Sequence, residues 1–162
     1  MFNCAPESGC SRQHKHMQVL KRPRAAEQGT TETGFRFFPD VGGGSDEKPN
    51  VPYKYFLHRF ARPGIENNTA ADVYRVYGDF LDRSRAALGS ARSPHNVILT
   101  TEWLLVIPRR YPENEAYMKL LPNGAGMMGM VSASEQEVID EWMAEGPAKV
   151  LGAFGLPPDT ET

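Results

Sequence analysis

Residues 14–22 alternate in character, with His14, His16, Gln18 and Leu20 on one side and Lys15, Met17 and Val19 on the other, and Pro23 closes the run. A period of two predicts a strand. Arg24 to Thr33 is polar and reads as loop. "GFRFFPDV" (34–41) reads as a short strand or an aromatic anchor, and "GGGSDEKPN" (42–50) has the composition of a flexible linker. "VPYKYFLHRFA" (51–61) is rich in aromatic and β-forming residues and predicts a second strand. Val73, Val76, Tyr77, Phe80 and Leu81 then recur at helical spacing. Ser84 and Leu88 continue the stripe, Asn68 or Thr69 caps it, and it stops near Gly89.

"HNVILTTEWLLVIPRR" (95–110) is the most hydrophobic stretch and too long for one strand. It predicts a hairpin of 96–100 and 103–108 turning at "TTEW", with "PRR" as a solvated strand end. Tyr53, Tyr55, Phe56 and Trp103 are candidate core. "NGAGMMGMVSA" (123–133) starts as a glycine-rich turn and continues as a strand. Ser134 and Glu137 form a capping-box pattern ahead of a helix carrying Val138, Ile139, Trp142 and Met143. Gly146-Pro147 breaks that helix, and a short one over 147–153 ends at Gly155. Strands joined by short connections and interrupted by helices predict an α+β fold with a mainly antiparallel sheet. The chain divides into an active-site turn and strand (1–23), a flexible loop (24–50) and the remainder of the same domain (51–162).

Composition narrows the function classes. A chain of 162 residues can bury one core, and two domains would be a stretch. The net charge of -2 and pI near 6.1 point to neither a nucleic-acid partner nor a membrane surface. No apolar run reaches the ~18 residues of a membrane span. "MFNCAPESGC" has no basic n-region or apolar h-region, so no signal peptide is expected. Two cysteines, Cys4 and Cys10, in such a chain read as reduced and intracellular: cytoplasmic, with the nucleus as a second location. The informative stretch begins almost at residue 1. The expectation is a C-terminal part of something longer.

The chemistry concentrates in "SGCSRQHKHMQVLKRP" (8–23). On a strand, His14, His16 and Gln18 share a face. Imidazole is a good nucleophile toward phosphorus at neutral pH, and the resulting phosphoramidate breaks readily. A neighbouring amide such as Gln18 can donate to a phosphoryl oxygen as charge builds. The "SGCS" turn offers backbone N–H groups and the Ser11 hydroxyl. Two other readings stand beside this one. A His-x-His pair can be ordinary exposed strand sequence, and Cys4, Cys10, His14 and His16 are four plausible zinc ligands, although their spacing matches no compact zinc module.

"GCSRQHKHMQVLKRP" resembles the active-site strand of the ATP adenylyltransferases, or diadenosine tetraphosphate phosphorylases, of the histidine triad-like superfamily. "FNCAPESG" resembles that family's lead-in, "HNVILTTEWLLVIPRR" its C-terminal hairpin, and "NGAGMMGM" its Asn-x-x-Gly-x-x-Gly-Met segment. The resemblance implies a histidine triad-like fold, incomplete relative to the family, and a reversible phosphorolysis of diadenosine tetraphosphate to ATP and ADP through an adenylyl-histidine. It makes His16 the nucleophile, has Gln18 hold the transferred phosphate, and has His14 orient the His16 ring through its backbone carbonyl. It places Asn3, Gly9, Cys10, Ser11 and Arg12 on phosphate and ribose contacts, and Asn123, Gly124, Ala125 and Met130 on a second nucleotide-contacting segment. Its substrates would be diadenosine tetraphosphate, ATP, ADP and phosphate. No tightly bound cofactor is implied, only a divalent cation such as Mg arriving with the nucleotide.

The sequence departs from the family at Arg12, where glutamine is usual, and at Ser134, where a lysine is usual. Family members also carry an N-terminal half that supplies strands, a further phosphate-binding lysine and part of the adenosine pocket. Without it a sheet edge is exposed, so self-association or a covering partner is expected. The alternative reading is a truncated, non-catalytic relative or gene fragment that binds nucleotide or a protein partner.

Overall fold

The computed structural model describes residues 1–10, 17–22, 36–41, 49–61 and 67–159. Its centre is the hairpin of β3 (His95–Leu99) and β4 (Trp103–Pro108). The hairpin turns where the sequence predicts. Thr100 Oγ1 accepts from the N–H groups of Glu102 (3.1 Å) and Trp103 (3.0 Å), which closes the turn. On one side β3 pairs with β1 (Phe2–Cys4); on the other β4 pairs with β2 (Phe56–Arg59). The sheet order is β1-β3-β4-β2 and every pairing is antiparallel. Beyond β1, the segment at 17–18 adds one more rung. Phe2 bridges to Met17, and Met1 and Gln18 exchange both backbone hydrogen bonds at 2.7 and 2.9 Å.

The helix α1 (Ala70–Leu88) follows its periodic stripe. Thr69 and Asp72 form a reciprocal capping box, and Gly89 ends the helix at a φ of +61°. α1 covers one face of the sheet, where Phe56, Phe60, Phe80, Leu104 and Val106 form a small core. The other face lies under α2 (Gly124–Met127), α3 (Gln136–Glu145) and α4 (Pro147–Phe154). There Tyr53, Tyr55, Trp103, Leu105, Ile107, Tyr117, Trp142, Val150 and Phe154 join one larger cluster. The alternation of β4 serves both: Leu104 and Val106 enter the first core, Trp103, Leu105 and Ile107 the second. Tyr53, Tyr55, Phe56 and Trp103 are core, as read from the sequence.

Of the strand read over 14–22, the described residues 17–22 make only the isolated bridge at Met17. Three further readings are corrected and one alternative is decided. Only Phe56–Arg59 of the 51–61 run is strand. Pro108 ends the ladder of β4, and the next residue, Arg109, bridges to Gly155 instead, while Lys54 N–H bonds to Leu156 O at 2.8 Å. The 123–133 stretch does not continue as a strand but forms α2, because Asn123 Oδ1 caps it by accepting from Gly126 N–H at 3.0 Å. α3 starts at Gln136, with Glu135 at the cap and no side-chain capping bond, so Ser134 and Glu137 make no capping box. Ile139 and Met143 of that helix face outward. The Phe38–Asp40 segment is a 3-10 turn and not a strand, and the aromatic anchor is what forms: Phe38 lies edge-on to Tyr53 and Tyr55, Phe37 to Trp103. Arg22 pairs with Asp40 and Glu102, and Asp40 accepts from Trp103 Nε1 at 2.7 Å, clasping residues 22 and 40 to the hairpin turn.

Candidate active site

Two segments far apart in sequence meet at the β1 end of the sheet. The first is the turn after β1. Ser8, fully buried, donates its hydroxyl toward the carbonyls of Cys4 (2.8 Å) and Ala5 (2.7 Å). Ala5 sits at a φ of +74°, outside the usual range for a residue with a Cβ. Gly9 follows at +72°, and a Cβ there would lie 2.7 Å from Asn123 Cα and from Pro122 O. The second segment is therefore 122–126. Gly9 lets the two backbones touch, and Gly124 stands against the Asn3 amide, which a Cβ would meet at 3.0 Å.

A buried polar relay holds both segments. Arg109 is wholly buried. It donates to Phe154 O (3.0 Å), Pro122 O (2.8 Å) and Asn96 Oδ1 (2.5 Å). Asn96 Nδ2 in turn donates to Ser8 O (2.8 Å) and Asn3 Oδ1 (2.7 Å). Asn3 Oδ1 also accepts from Gly124 N–H at 3.0 Å. Two donors on one oxygen fix the Asn3 amide, so its NH2 group turns away from them. The three partners of Arg109 are neutral oxygens, and burial pulls its guanidinium down to about 9, leaving it charged at neutral pH. The expectation of a solvated strand end at 108–110 fails here, because Phe154 and Pro122 bring carbonyls over Arg109. Sequence reasoning also missed Ser8 and Asn96. The signal available was two polar residues, Asn96 and Arg109, inside an otherwise apolar hairpin.

The sequence-derived candidates divide as follows. Asn3, Gly9, Asn123 and Gly124 come together. Cys10 ends the same turn, half-buried, and neither it nor Cys4 closes a disulfide. Ala125 lies half-buried in α2 and its carbonyl accepts from Met130 N–H at 2.9 Å, while the Met130 side chain is partly exposed. Gln18 is exposed at the sheet edge. Alternation puts it on the face opposite Met17, the face toward which Asn3 also points. Ser11, Arg12, His14 and His16 lie outside the described residues. Among the described residues no cluster of three or more His, Cys, Asp or Glu side chains could hold a metal, and the two histidines of the zinc reading are outside them.

Beside Gly9 and Asn123 a cleft of about 230 Å³ is also lined by Lys119, Gly126, Ser132 and Trp142. It is smaller than the roughly 300–1,000 Å³ of a typical ligand pocket. No described helix is long and apolar enough to cross a membrane.

Residues 49–157 match the model of the ATP adenylyltransferase C-terminal domain. The chain belongs to the ATP adenylyltransferase family. It is 24% identical to diadenosine 5',5'''-P1,P4-tetraphosphate phosphorylase 2 of Saccharomyces cerevisiae over 156 residues, 90% of this chain and 47% of that protein. It is 24% identical to Protein APA1 of the same yeast over 151 residues, 86% of this chain and 46% of that protein. Its fold superposes on the crystal structure of yeast Ap4A phosphorylase Apa2 in complex with AMP with a TM-score of 0.76 at 23% identity, covering 98% of this chain and 55% of that one. The complex of Apa2 with Ap4A gives 0.71 at 21% identity, covering 98% and 54%. The histidine triad-like α+β fold read from the sequence is therefore the fold of this family member. The chain spans about half the length of the curated relatives it matches.

Proposed function

We propose that the chain is the C-terminal part of a nucleotidyltransferase acting on dinucleoside polyphosphates, with diadenosine tetraphosphate as the family substrate. The supporting observation is the junction of Asn3, Gly9, Asn123 and Gly124 over the Arg109 relay, in a chain whose named relatives include a diadenosine tetraphosphate phosphorylase. In this reading His16 attacks the α-phosphorus, a bond to the imidazole nitrogen forms, and the P–O bond to the departing ATP breaks. Phosphate then attacks the adenylyl-histidine and leaves as ADP, freeing His16. Gln18 and the turn at 9–12 steady the phosphoryl oxygens, the fixed Asn3 NH2 faces the ribose or phosphates, and His14 orients the ring of His16. A divalent cation such as Mg enters with the nucleotide. The test is covalent labelling by α-labelled diadenosine tetraphosphate. The label is expected on the unchanged chain and absent from His16→Ala, and label surviving the substitution would sink the assignment.

A second reading is a non-catalytic relative that binds nucleotide. Its support is coverage of only about half of the curated relatives. It predicts saturable nucleotide binding with no label on the unchanged chain. Release of ATP from diadenosine tetraphosphate and phosphate would reject it.

A further inference from the structure

Asn3 and Asn96 stand directly opposite each other in the β1–β3 ladder. The groups around their amides that cannot reverse their role all agree on how the two are turned. A guanidinium and a backbone N–H only donate, and a carbonyl only accepts. Asn96 meets the Arg109 guanidinium with its oxygen, and Ser8 O, at 2.8 Å, with its nitrogen. Asn3 meets the Gly124 N–H, at 3.0 Å, with its oxygen. Donation from Asn96 Nδ2 to Asn3 Oδ1, at 2.7 Å, is the one arrangement compatible with all three. Asn96 and Arg109 are fully buried, so neither can exchange these partners for bulk water.

Donation therefore runs one way, from Arg109 through Asn96 to Asn3, and leaves the Asn3 NH2 group on the far side of its amide. We propose that Asn96 is a positioning residue that sets the polarity of Asn3, so that the site offers N–H donors to an acceptor oxygen of its ligand. Taking that oxygen to be a nucleotide's, on the phosphate or the ribose, rests on the function proposed above; the orientation of the amide does not. Asn96 acts through Asn3, and its second N–H holds the Ser8 carbonyl just ahead of Gly9. Asn96→Asp reverses the relay. The carboxylate keeps Arg109 on one oxygen and brings the other against Asn3 Oδ1, where a donor stood. A charge-assisted hydrogen bond outweighs a neutral one. The Asn3 amide then gives up the Gly124 N–H, turns its NH2 group to the carboxylate and faces the ligand with its oxygen.

Nuclear magnetic resonance of the full chain reads the amide directly. The Overhauser effect between the Asn3 NH2 protons and the Gly124 N–H is expected to be weak in the unchanged chain and strong in Asn96→Asp. Calorimetric titration with AMP reads the consequence. Affinity should fall at least about tenfold in Asn96→Asp, the equivalent of one lost hydrogen bond to a charged group. Asn3→Asp is the second variant. Its carboxylate can accept from both Asn96 and Gly124, leaves the relay intact and replaces the NH2 group by an acceptor, so AMP should weaken by a similar factor. Adenosine, titrated in parallel, locates the oxygen: a loss shared with adenosine places it on the ribose, a loss confined to AMP on the phosphate. A strong Overhauser effect in the unchanged chain, a weak one in folded Asn96→Asp, or a folded variant that binds AMP as the unchanged chain does would each overturn the proposal. An unchanged chain that binds no AMP would instead reject the nucleotide reading, and the Overhauser effect alone would then decide the role of Asn96.

Discussion

On the face toward α2, α3 and α4, the sheet is sealed: Leu105, Ile107, Val150 and Phe154 are fully buried, and Arg109 and Asn96 are buried with them. On the face toward α1, Leu104 and Val106 are as well covered, but the cluster around them is small and its β1 end opens into an apolar groove. The difference lies in where the partners come from. The sealed face is closed by residues 115–156, which come after the hairpin, together with Phe38, Tyr53 and Tyr55, which come before it. The open face has a single helix, and Met17 and Tyr74 of the groove are each 75% exposed. The sealed face also carries the polar junction of Asn3, Gly9, Asn123 and Gly124.

The strongest way to break that contrast is Arg109→Met. The side chain keeps most of its volume, but Asn96 Oδ1 and Pro122 O lose their donor while still buried, and Phe154 O keeps only the Arg110 N–H at 3.2 Å. Each orphaned acceptor costs about 1–3 kcal/mol, so a loss of about 3–5 kcal/mol is expected. Urea unfolding monitored by tryptophan fluorescence measures it. A midpoint equal to that of the unchanged chain would show that the relay does not hold the sealed face.

A paired truncation sharpens the comparison. Phe154→Ala empties a site enclosed on all sides and should cost about 3–5 kcal/mol. Phe80→Ala, on the face with the groove, should cost less, about 2–3 kcal/mol, because α1 can settle toward an open neighbour. The difference in unfolding free energy between the two variants is the test, and equal losses would mean that the α1 face is packed as completely as the other.

The elements legible in the sequence were those set by local pattern. α1 has a stripe, a capping box and a terminal glycine; the β3–β4 hairpin has alternating apolar runs and a threonine turn. What failed was decided by distant residues. The strand at 51–61 is cut short because Gly155 and Leu156 occupy the backbone beyond Pro108. Arg109 looks solvated until α4 delivers the Phe154 carbonyl to it. In the candidate site, Asn3, Gly9, Asn123 and Gly124 were reached through family resemblance, since nothing local says that residues 9 and 123 touch. Ser8 and Asn96, which join those loops, carry no motif, and only their burial in an apolar setting marks them.

The smallest expected effect lies at the join of the two faces, in His95. Its Nδ1 is 2.5 Å from Ser93 O and its Nε2 2.9 Å from the Tyr77 hydroxyl, so the α1 helix is tied to the start of β3 through a neutral imidazole. Burial lowers its pKa from the ordinary value, against a smaller opposing effect of the Ser93 carbonyl. With the folded pKa depressed, the unfolded chain binds the proton first as pH falls. Below about 6.5 the unfolded state therefore holds more protons than the native state, and stability declines until the folded pKa is passed. His95→Gln keeps an amide able to meet Tyr77 but has no proton to take up. Unfolding free energies measured between pH 7.5 and 5 should fall more steeply for the unchanged chain than for the variant. The sign of the difference is the readout: the unchanged chain loses more stability than the variant as pH falls through the ordinary histidine range. Parallel curves would mean that His95 titrates alike in the folded and unfolded chain, and that the tie between α1 and β3 does not depend on its neutral form.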